Sequence, residues 1–149
     1  MRNRIWILAA DGNTARIVKG VNLLKDERQQ PEVEAFQIET KRVRDIMADK
    51  PGRSHSSVGY GRSAMEYSSN PVREEQHRFA AEIAEKLEHY ALQNAFENLV
   101  ICAAPKTLGD FRKLLSPQVK EKTIAEIDRN CVAVPTEQLI ATVKAVVFP

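Results

Sequence analysis

Short apolar runs in the first forty residues predict three β-strands. The first run ends at Asp11-Gly12-Asn13, a hairpin signal because glycine and asparagine tolerate the positive φ of tight turns. A polar connection follows the second run, and the third run alternates as in a half-buried strand. The pattern predicts strands at residues 4–10, 14–21 and 32–39, with Val33, Ala35 and either Phe36 or Ile38 facing inward in the third.

The next thirty residues show no sustained hydrophobic period. Residues 40–71 contain three of the six glycines, six serines and two prolines, which are residues of turns and loops rather than of packed elements. We therefore expect a long loop, with residues 45–70 as the most mobile or least regular part of the protein. A loop of this length inside a compact domain is usually functional or disordered.

The clearest helical period follows this segment. Phe79, Ile83, Leu87 and Ala91 recur every four residues, which predicts an amphipathic helix over 72–95. Asn70-Pro71 and the acidic Glu74-Glu75 are typical of its start, because negative charge is favourable at the positive end of a helix.

The last fifty residues predict two further strands and two further helices. The continuous apolar run 98–104 is typical of a strand buried on both faces. Thr107, with Asp110 three residues later, predicts a capped helix at 108–115. In the stretch 121–128, one face of a strand would carry Thr123, Ala125 and Ile127, and the other face would carry Ile124 as its apolar residue. We therefore predict a strand here, with a helix as the alternative. Pro135-Thr136 begins the last helix.

The resulting order, β-β-β-α-β-α-β-α, indicates a single α/β domain spanning residues 1–149. A three-stranded meander followed by β-α-β units implies one mixed five-stranded sheet with helices on both faces. This order matches the ribonuclease H-like architecture, although a fold does not confer a function.

Composition narrows the class of protein. The net charge of the whole chain, +2, is too small to indicate nucleic-acid binding, but residues 41–70 alone carry a net charge of +3. The N-terminal apolar run is too short for a signal peptide, and no stretch could span a membrane. Cys102 and Cys131 lack metal spacing, and Cys102 lies in an apolar run that indicates a buried, reduced thiol. We therefore expect a cytoplasmic protein whose partners include neither membrane nor DNA.

Catalytic constellations are incomplete in this sequence. Asp11, Glu75 and Asp128 are the weak candidates for a metal-dependent nuclease, which needs converging carboxylates around divalent cations. Glu75 falls near the core-facing side of its helix, whereas Asp11-Gly12 is more simply a turn. The three histidines have no metal spacing, and no phosphate-binding or nucleotide-binding glycine motif is present. We expect no cofactor and no catalysis.

A binding surface is the better-supported candidate site. The long loop supplies arginines and tyrosines, a mixture that contacts phosphates and stacks on bases. The turn after the buried strand supplies two basic residues, which we expect at a helix N-terminus where anions bind. The predicted binding residues are Arg53, Tyr60, Arg62, Glu66, Glu75, Lys106 and Arg112.

Several stretches together resemble the bacterial "protein required for attachment to host cells" family. They are WILAADGNTARIV (6–18), DKPGRSHSS (49–57), RSAMEYSSNP (62–71), EEQHRFAAEIAEKL (74–87) and LVICAAPKTLGDFRKLLSPQVKEKTIAEIDRN (99–130). The family is distantly similar to the middle domain of eukaryotic and archaeal release factors, which has a ribonuclease H-like fold. In those factors, a Gly-Gly-Gln in the equivalent loop drives peptidyl-tRNA hydrolysis, but residues 40–71 contain neither glutamine nor Gly-Gly.

The resemblance implies a host-attachment-family protein. Our main interpretation is a cytoplasmic, non-catalytic interaction module associated with RNA, the ribosome or a protein partner. The first alternative is a release-factor-like peptidyl-tRNA hydrolase or RNA-binding translation factor. The metal-dependent nuclease is the second alternative.

Overall fold

The computed structural model describes residues 4–24, 29–38 and 71–149. In these ranges the chain forms five strands and four helices. The strands are β1 (Arg4–Ala10), β2 (Thr14–Asn22), β3 (Glu32–Gln37), β4 (Leu99–Ala103) and β5 (Thr123–Asp128). The helices are α1 (Pro71–Leu92), α2 (Pro105–Leu114), α3 (Pro117–Lys122) and α4 (Thr136–Val147).

The strands form one mixed sheet in the order β3-β2-β1-β4-β5. β1 pairs antiparallel with β2 and parallel with β4, β2 pairs antiparallel with β3, and β4 pairs parallel with β5. The central position of β1 explains its continuous apolar sequence, because Ile5–Ala10 are buried on both faces. The predicted α/β class and mixed five-stranded open sheet are confirmed.

Two apolar clusters hold the layers together. Trp6, Leu8 and Ala10 point to one face of β1 and pack with α1, α2 and α3. Ile5, Ile7 and Ala9 point to the other face and pack with Leu139 and Val143 of α4. Helices therefore cover both faces of the sheet, and the alternation of β1 divides its side chains between the two clusters.

The predicted inward face of β3 is corrected by the structure. Phe36 and Ile38 pack against the α1 side of the sheet, whereas Val33 is 41% exposed and Ala35 is also exposed. The reason is that β3 is an edge strand covered on one face only. α4 packs against β1, β2, β4 and β5, and it leaves the other face of β3 open.

The start of α2 also differs from the prediction. The helix begins at Pro105 rather than at residue 108, and Ala104 precedes it in an extended conformation without a side-chain cap. Proline is favourable at the first helical position, where its missing N–H would be unpaired anyway. Thr107 is therefore inside the helix, and the predicted capping by Thr107 and Asp110 is wrong.

Two further boundaries shift for local reasons. α1 ends at Leu92 instead of continuing to residue 95, and Asn94 has a positive φ of 55°, as in many helix terminations. Residues 121 and 122 finish the unpredicted helix α3, whose first turn is capped by the Ser116 hydroxyl accepting from the Val119 N–H. The predicted strand is confirmed from Thr123 to Asp128.

Two expectations fall outside the described residues. The loop expected at residues 40–71, and the mobility or irregularity expected at 45–70, concern a segment of which the structure describes only Pro71. Among the described helices, none has both the length and the apolar character required to cross a bilayer.

Candidate functional site at the carboxyl edge of the sheet

Four strands end at the same edge of the sheet. β1, β3, β4 and β5 run in one direction, so their carboxyl ends lie together. We call this the carboxyl edge. It comprises the β1–β2 turn (residues 11–13), Ile38 after β3, the first turns of α1 and α2, and Asp128. Ligands of open α/β sheets usually bind at such an edge, in the crevice beyond the strand ends.

Asp11 has a structural role in the turn at this edge. Its Oδ1 accepts hydrogen bonds from the backbone N–H groups of Asn13 and Thr14, each at 2.8 Å, and from the Thr14 hydroxyl at 3.1 Å. This is the hydrogen-bonding pattern by which an aspartate closes a turn upon its own backbone. The hairpin interpretation of Asp11-Gly12-Asn13 is therefore confirmed.

Asn13 bonds two residues that flank residues 39–70 along the chain. The Ile38 N–H, at the end of β3, donates to the Asn13 carbonyl at 2.7 Å. The Gln76 side-chain amide, in α1, donates to the Asn13 side-chain oxygen at 3.0 Å. Ile38 and Gln76 therefore lie beside the same residue of the turn. We call this arrangement the Asn13 junction.

Gly12 permits this close approach of α1 to the turn. A Cβ added at Gly12 would lie 2.8 Å from the Gln76 Nε2 and 2.9 Å from its Cδ, which is closer than real Cβ contacts. The side chain of Gln76 could bond Asn13 in this position only when residue 12 has no side chain. Neither Gly12 nor Asn13 has the positive φ that the sequence suggested, so the glycine serves this contact between α1 and the turn rather than a left-handed conformation.

Glu75 is buried at the start of α1. It is 2% exposed, as its position on the helical wheel predicted, and its Oε1 accepts from Arg78 Nη1 at 2.7 Å. No group of three or more His, Cys, Asp and Glu side chains within residues 4–24, 29–38 and 71–149 is arranged to hold a metal ion. The nuclease alternative with Asp11, Glu75 and Asp128 stays a prediction.

Lys106 lies where the sequence placed it, at the N-terminus of α2. It is exposed and directly follows Pro105, the first residue of the helix. The first turn of α2 contains no acidic residue, and Ala104 supplies no side-chain cap. The partial positive charge of the helix end and the ammonium group of Lys106 therefore act together at the carboxyl edge.

Arg112 does not lie at a helix N-terminus, which corrects the prediction. Because α2 begins at Pro105, Arg112 falls in its last turn, and it donates to Glu126 Oε1 from Nε at 2.9 Å and from Nη2 at 2.7 Å. The hydrogen bonds to Glu126 raise the pKa of Arg112. This residue links α2 to β5 away from the carboxyl edge.

The other predicted binding residues lie outside the described part of the chain. They are Arg53, Tyr60, Arg62 and Glu66. Of the predicted set, the structure brings Glu75 and Lys106 to the same edge of the sheet and separates Arg112 from them.

Comparison with known proteins identifies the family. The family model described as "Protein required for attachment to host cells" matches residues 6–143, which is most of the chain. The chain belongs to this family. No match is found among curated proteins.

A solved structure gives one further match to this host-attachment-family chain. It is a chain of a structure described as a "PilM-PilN type IV pilus biogenesis complex", at 15% sequence identity and a TM-score of 0.41. The alignment covers 99% of this chain but 42% of the PilM-PilN chain, so this chain spans less than half the length of the protein it matches.

A polar cluster that sequence reasoning missed lies between β2, β3 and α1 of this family member. The Tyr90 hydroxyl donates to Glu34 Oε1 at 2.6 Å and accepts from the Lys19 ammonium group at 3.0 Å. Lys19 also lies 3.0 Å from Glu34 and 5.4 Å from the centre of the Trp6 ring. We call this set the Lys19 cluster. The acidic residues of β3 gave no signal of it, because its members are distant in sequence.

Ionisation of the Lys19 cluster supports the fold at neutral pH. Burial alone would lower the pKa of Lys19, but hydrogen bonds with Tyr90 and Glu34 outweigh that effect and raise it. Burial would likewise raise the pKa of Glu34, but hydrogen bonds from Tyr90 and Lys19 lower it. Both charged forms are therefore favoured in the folded state.

We expect the cluster to make stability depend on pH in both directions. The contribution of Glu34 is present above the ordinary glutamate pKa and is lost as pH falls through its lowered folded pKa. The contribution of Lys19 is present below the ordinary lysine pKa and is lost as pH rises through its raised folded pKa. Glu34→Gln should cost about 1 kcal/mol at neutral pH and should flatten the acid limb of the stability profile.

Urea unfolding between acidic and neutral pH tests this expectation. Glu32→Gln is the matched control, because Glu32 lies 3.7 Å from Lys19 with a largely exposed side chain. Such exposed pairs contribute about 0–1 kcal/mol. Equal pH profiles for the two variants would show that the Lys19 cluster does not contribute as described.

Both cysteines of this family member are buried and reduced in the apolar layer beneath α4. Burial raises the pKa of the Cys102 thiol to about 12. A thiol in that state is a poor nucleophile, since the thiolate is the reactive form. The expectation of a buried thiol at Cys102 is confirmed, and Cys131 is buried as well.

Proposed function

We propose that this protein is a cytoplasmic, non-catalytic interaction module that binds RNA, free or within the ribosome. The proposed surface consists of the carboxyl edge and the basic segment 41–70. As part of this proposal we assign the sheet to the ribonuclease H-like architecture. The order β3-β2-β1-β4-β5, with β2 alone running against the other strands, supports that assignment.

The Asn13 junction is the observation that carries the proposal. Ile38 and Gln76, which flank residues 41–70 along the chain, both bond Asn13 at the carboxyl edge. Lys106 and the uncapped N-terminus of α2 lie at the same edge. The segment with the excess positive charge is therefore flanked on both sides in sequence by residues at the place where α/β sheets accept ligands.

The chemistry of the segment favours RNA. Arg53 and Arg62 can contact phosphates, and Tyr60 between them can stack on an unpaired base. Lys106 would add a fourth contact beside the helix N-terminus. Binding that depends on phosphate contacts weakens steeply with salt, because each contact releases condensed counterions.

Charge reversal of the basic residues tests the proposal. We expect Arg53→Glu, Arg62→Glu and Lys106→Glu together to abolish RNA binding and leave the melting temperature nearly unchanged. Lys113→Glu is the matched control, because Lys113 is exposed on the same helix at the end away from the carboxyl edge. Titrations with single-stranded RNA at two salt concentrations give the affinity and its salt dependence.

Partner capture from cell lysate, with and without ribonuclease, distinguishes the classes of partner. Partners that disappear after ribonuclease treatment support the proposal. Partners that persist would indicate a protein ligand, and unchanged RNA affinity in the folded triple variant would remove this surface. Release of peptide from peptidyl-tRNA by the purified protein would contradict the non-catalytic part and favour the release-factor-like alternative.

A further inference from the structure

Arg129 lies at the carboxyl edge and was not among the binding residues that the sequence predicted. It directly follows β5, and its backbone N–H donates to the Ile127 carbonyl at 2.9 Å, so the chain turns immediately after the strand. Asp128 is the register partner of Ala103, the last residue of β4. Because neighbouring strands lie about 4.8 Å apart, Arg129 is close in the fold to the residues that begin α2.

The positive charge of Arg129 acts on the α4 side of the sheet. Cys131, two residues later, is buried beneath α4, so the chain crosses to that side directly after β5. Cys102 belongs to the same apolar layer. Burial and the neighbouring Cys131 raise the pKa of the Cys102 thiol, whereas the charge of Arg129 opposes that rise. Lys106 belongs to α2, which packs on the other side, so the two cations lie on opposite sides of the carboxyl edge.

The charge of Arg129 is available to a ligand. Its side chain is exposed, and within the described ranges no carboxylate forms an ion pair with it. Arg112, by contrast, is bonded to Glu126. The adjacent Asp128 acts on the α2 side, because the pKa of Arg112 is raised mainly by the hydrogen bond to Glu126 and further by the charge of Asp128. Arg129 therefore differs from Arg112 in presenting its guanidinium to solvent at the carboxyl edge.

We propose that Arg129 is an additional RNA-binding residue, and that one RNA strand crosses the ends of β4 and β5 with separate phosphates bound by Lys106 and Arg129. This inference rests on the RNA-binding function proposed above. Arginine suits the role because its planar guanidinium can donate two parallel hydrogen bonds to one phosphate. Such contacts position the strand without selecting a base sequence. The carboxyl edge thus contributes contacts on both of its sides, in addition to those of residues 41–70.

The salt dependence of RNA affinity tests the role of Arg129. Each phosphate contact with single-stranded RNA contributes about 0.7 to the slope of log affinity against log salt concentration. We expect Arg129→Gln to reduce that slope by about 0.7 and to weaken binding about tenfold, whatever the RNA sequence. Arg4→Gln is the matched control and should change neither quantity, because Arg4 is an exposed arginine where β1 begins, at the other end of the sheet. Arg129→Lys keeps the charge and should retain the original slope.

A double variant distinguishes two bound phosphates from one. The effects of Lys106→Gln and Arg129→Gln should add, so the variant with both changes should lose about 1.4 from the slope. Thermal melts confirm that each variant is folded. An original slope in Arg129→Gln, or a double variant no weaker than Lys106→Gln alone, would overturn this inference, while the proposed function would stand if the triple charge reversal still abolished binding. Absence of RNA binding by the original chain would overturn the proposed function and this inference with it.

Discussion

Replacing Phe111 with alanine should lower the free energy of unfolding by about 3–5 kcal/mol, the usual cost of truncating a buried aromatic residue. Phe111 is 1% exposed and packs between α2 and the sheet, in the same cluster as Trp6 and Leu87. The substitution removes its contacts and leaves a cavity that rigid neighbours fill only partly. Because domains are typically stable by about 5–15 kcal/mol, the variant should fold but be marginal.

Urea unfolding measures the effect of Phe111→Ala, with a shift in midpoint at constant slope as the expected form. Lys113→Ala is the control on the same helix, and because Lys113 is exposed its cost should stay within about 0.5 kcal/mol. Since Phe111 anchors α2, the variant should also weaken RNA binding through Lys106. A loss of stability below about 1 kcal/mol would mean that α2 does not depend on this contact.

Replacing Arg16 with alanine should cost about 2–3 kcal/mol, because it removes charged hydrogen bonds to the backbone of the connection between β5 and α4. Arg16, on β2, donates to the carbonyl oxygens of Cys131 and Val134 and to the Thr136 hydroxyl. These bonds hold the connection between β5 and α4 against the sheet. Burial lowers the pKa of Arg16 below the ordinary arginine value, and nearby Cys131 and Cys102 oppose that change.

The reactivity of the two thiols shows whether the loss of stability in Arg16→Ala is confined to the connection between β5 and α4. Cys131 is buried in this connection, so Arg16→Ala should make it react with a thiol reagent while Cys102 in β4 stays protected. Arg16→Lys is the control, because lysine keeps the charge but cannot donate to several acceptors in the fork geometry of a guanidinium. The free energy of unfolding of Arg16→Lys should lie between that of the original chain and that of Arg16→Ala. Unchanged protection of Cys131 in Arg16→Ala would contradict the anchoring role.

The elements that the sequence predicts well are those in which burial and periodicity agree. β1 and β4 are apolar throughout because both faces are covered, and α1 shows its inward residues at each fourth position. In β3 the prediction is right for Phe36 and Ile38 but wrong for Val33 and Ala35, because alternation alone does not say which face a helix covers. α3 was missed because only Val119 of its six residues is buried.

The candidate site was predicted only in part, because a local pattern does not show where a helix begins or which distant residues are in contact. Lys106 follows directly from the position of the buried strand before it. Arg112 was misplaced because the helix starts at Pro105 rather than at residue 108, which moves the later residues toward its other end. The hydrogen bonds of Arg16 join residues more than a hundred positions apart, so no local pattern could reveal them.

The position of β1 between β2 and β4 has a consequence for biosynthesis. β2 emerges from the ribosome directly after β1, but the residues of β4 that pair with β1 follow about 90 positions later. At synthesis rates of about 5–20 residues per second, the edge of β1 that pairs with β4 stays unpaired for on the order of 5–20 s. During that interval the nascent chain exposes an unpaired hydrophobic edge, so its yield should depend on chaperones that bind extended apolar segments.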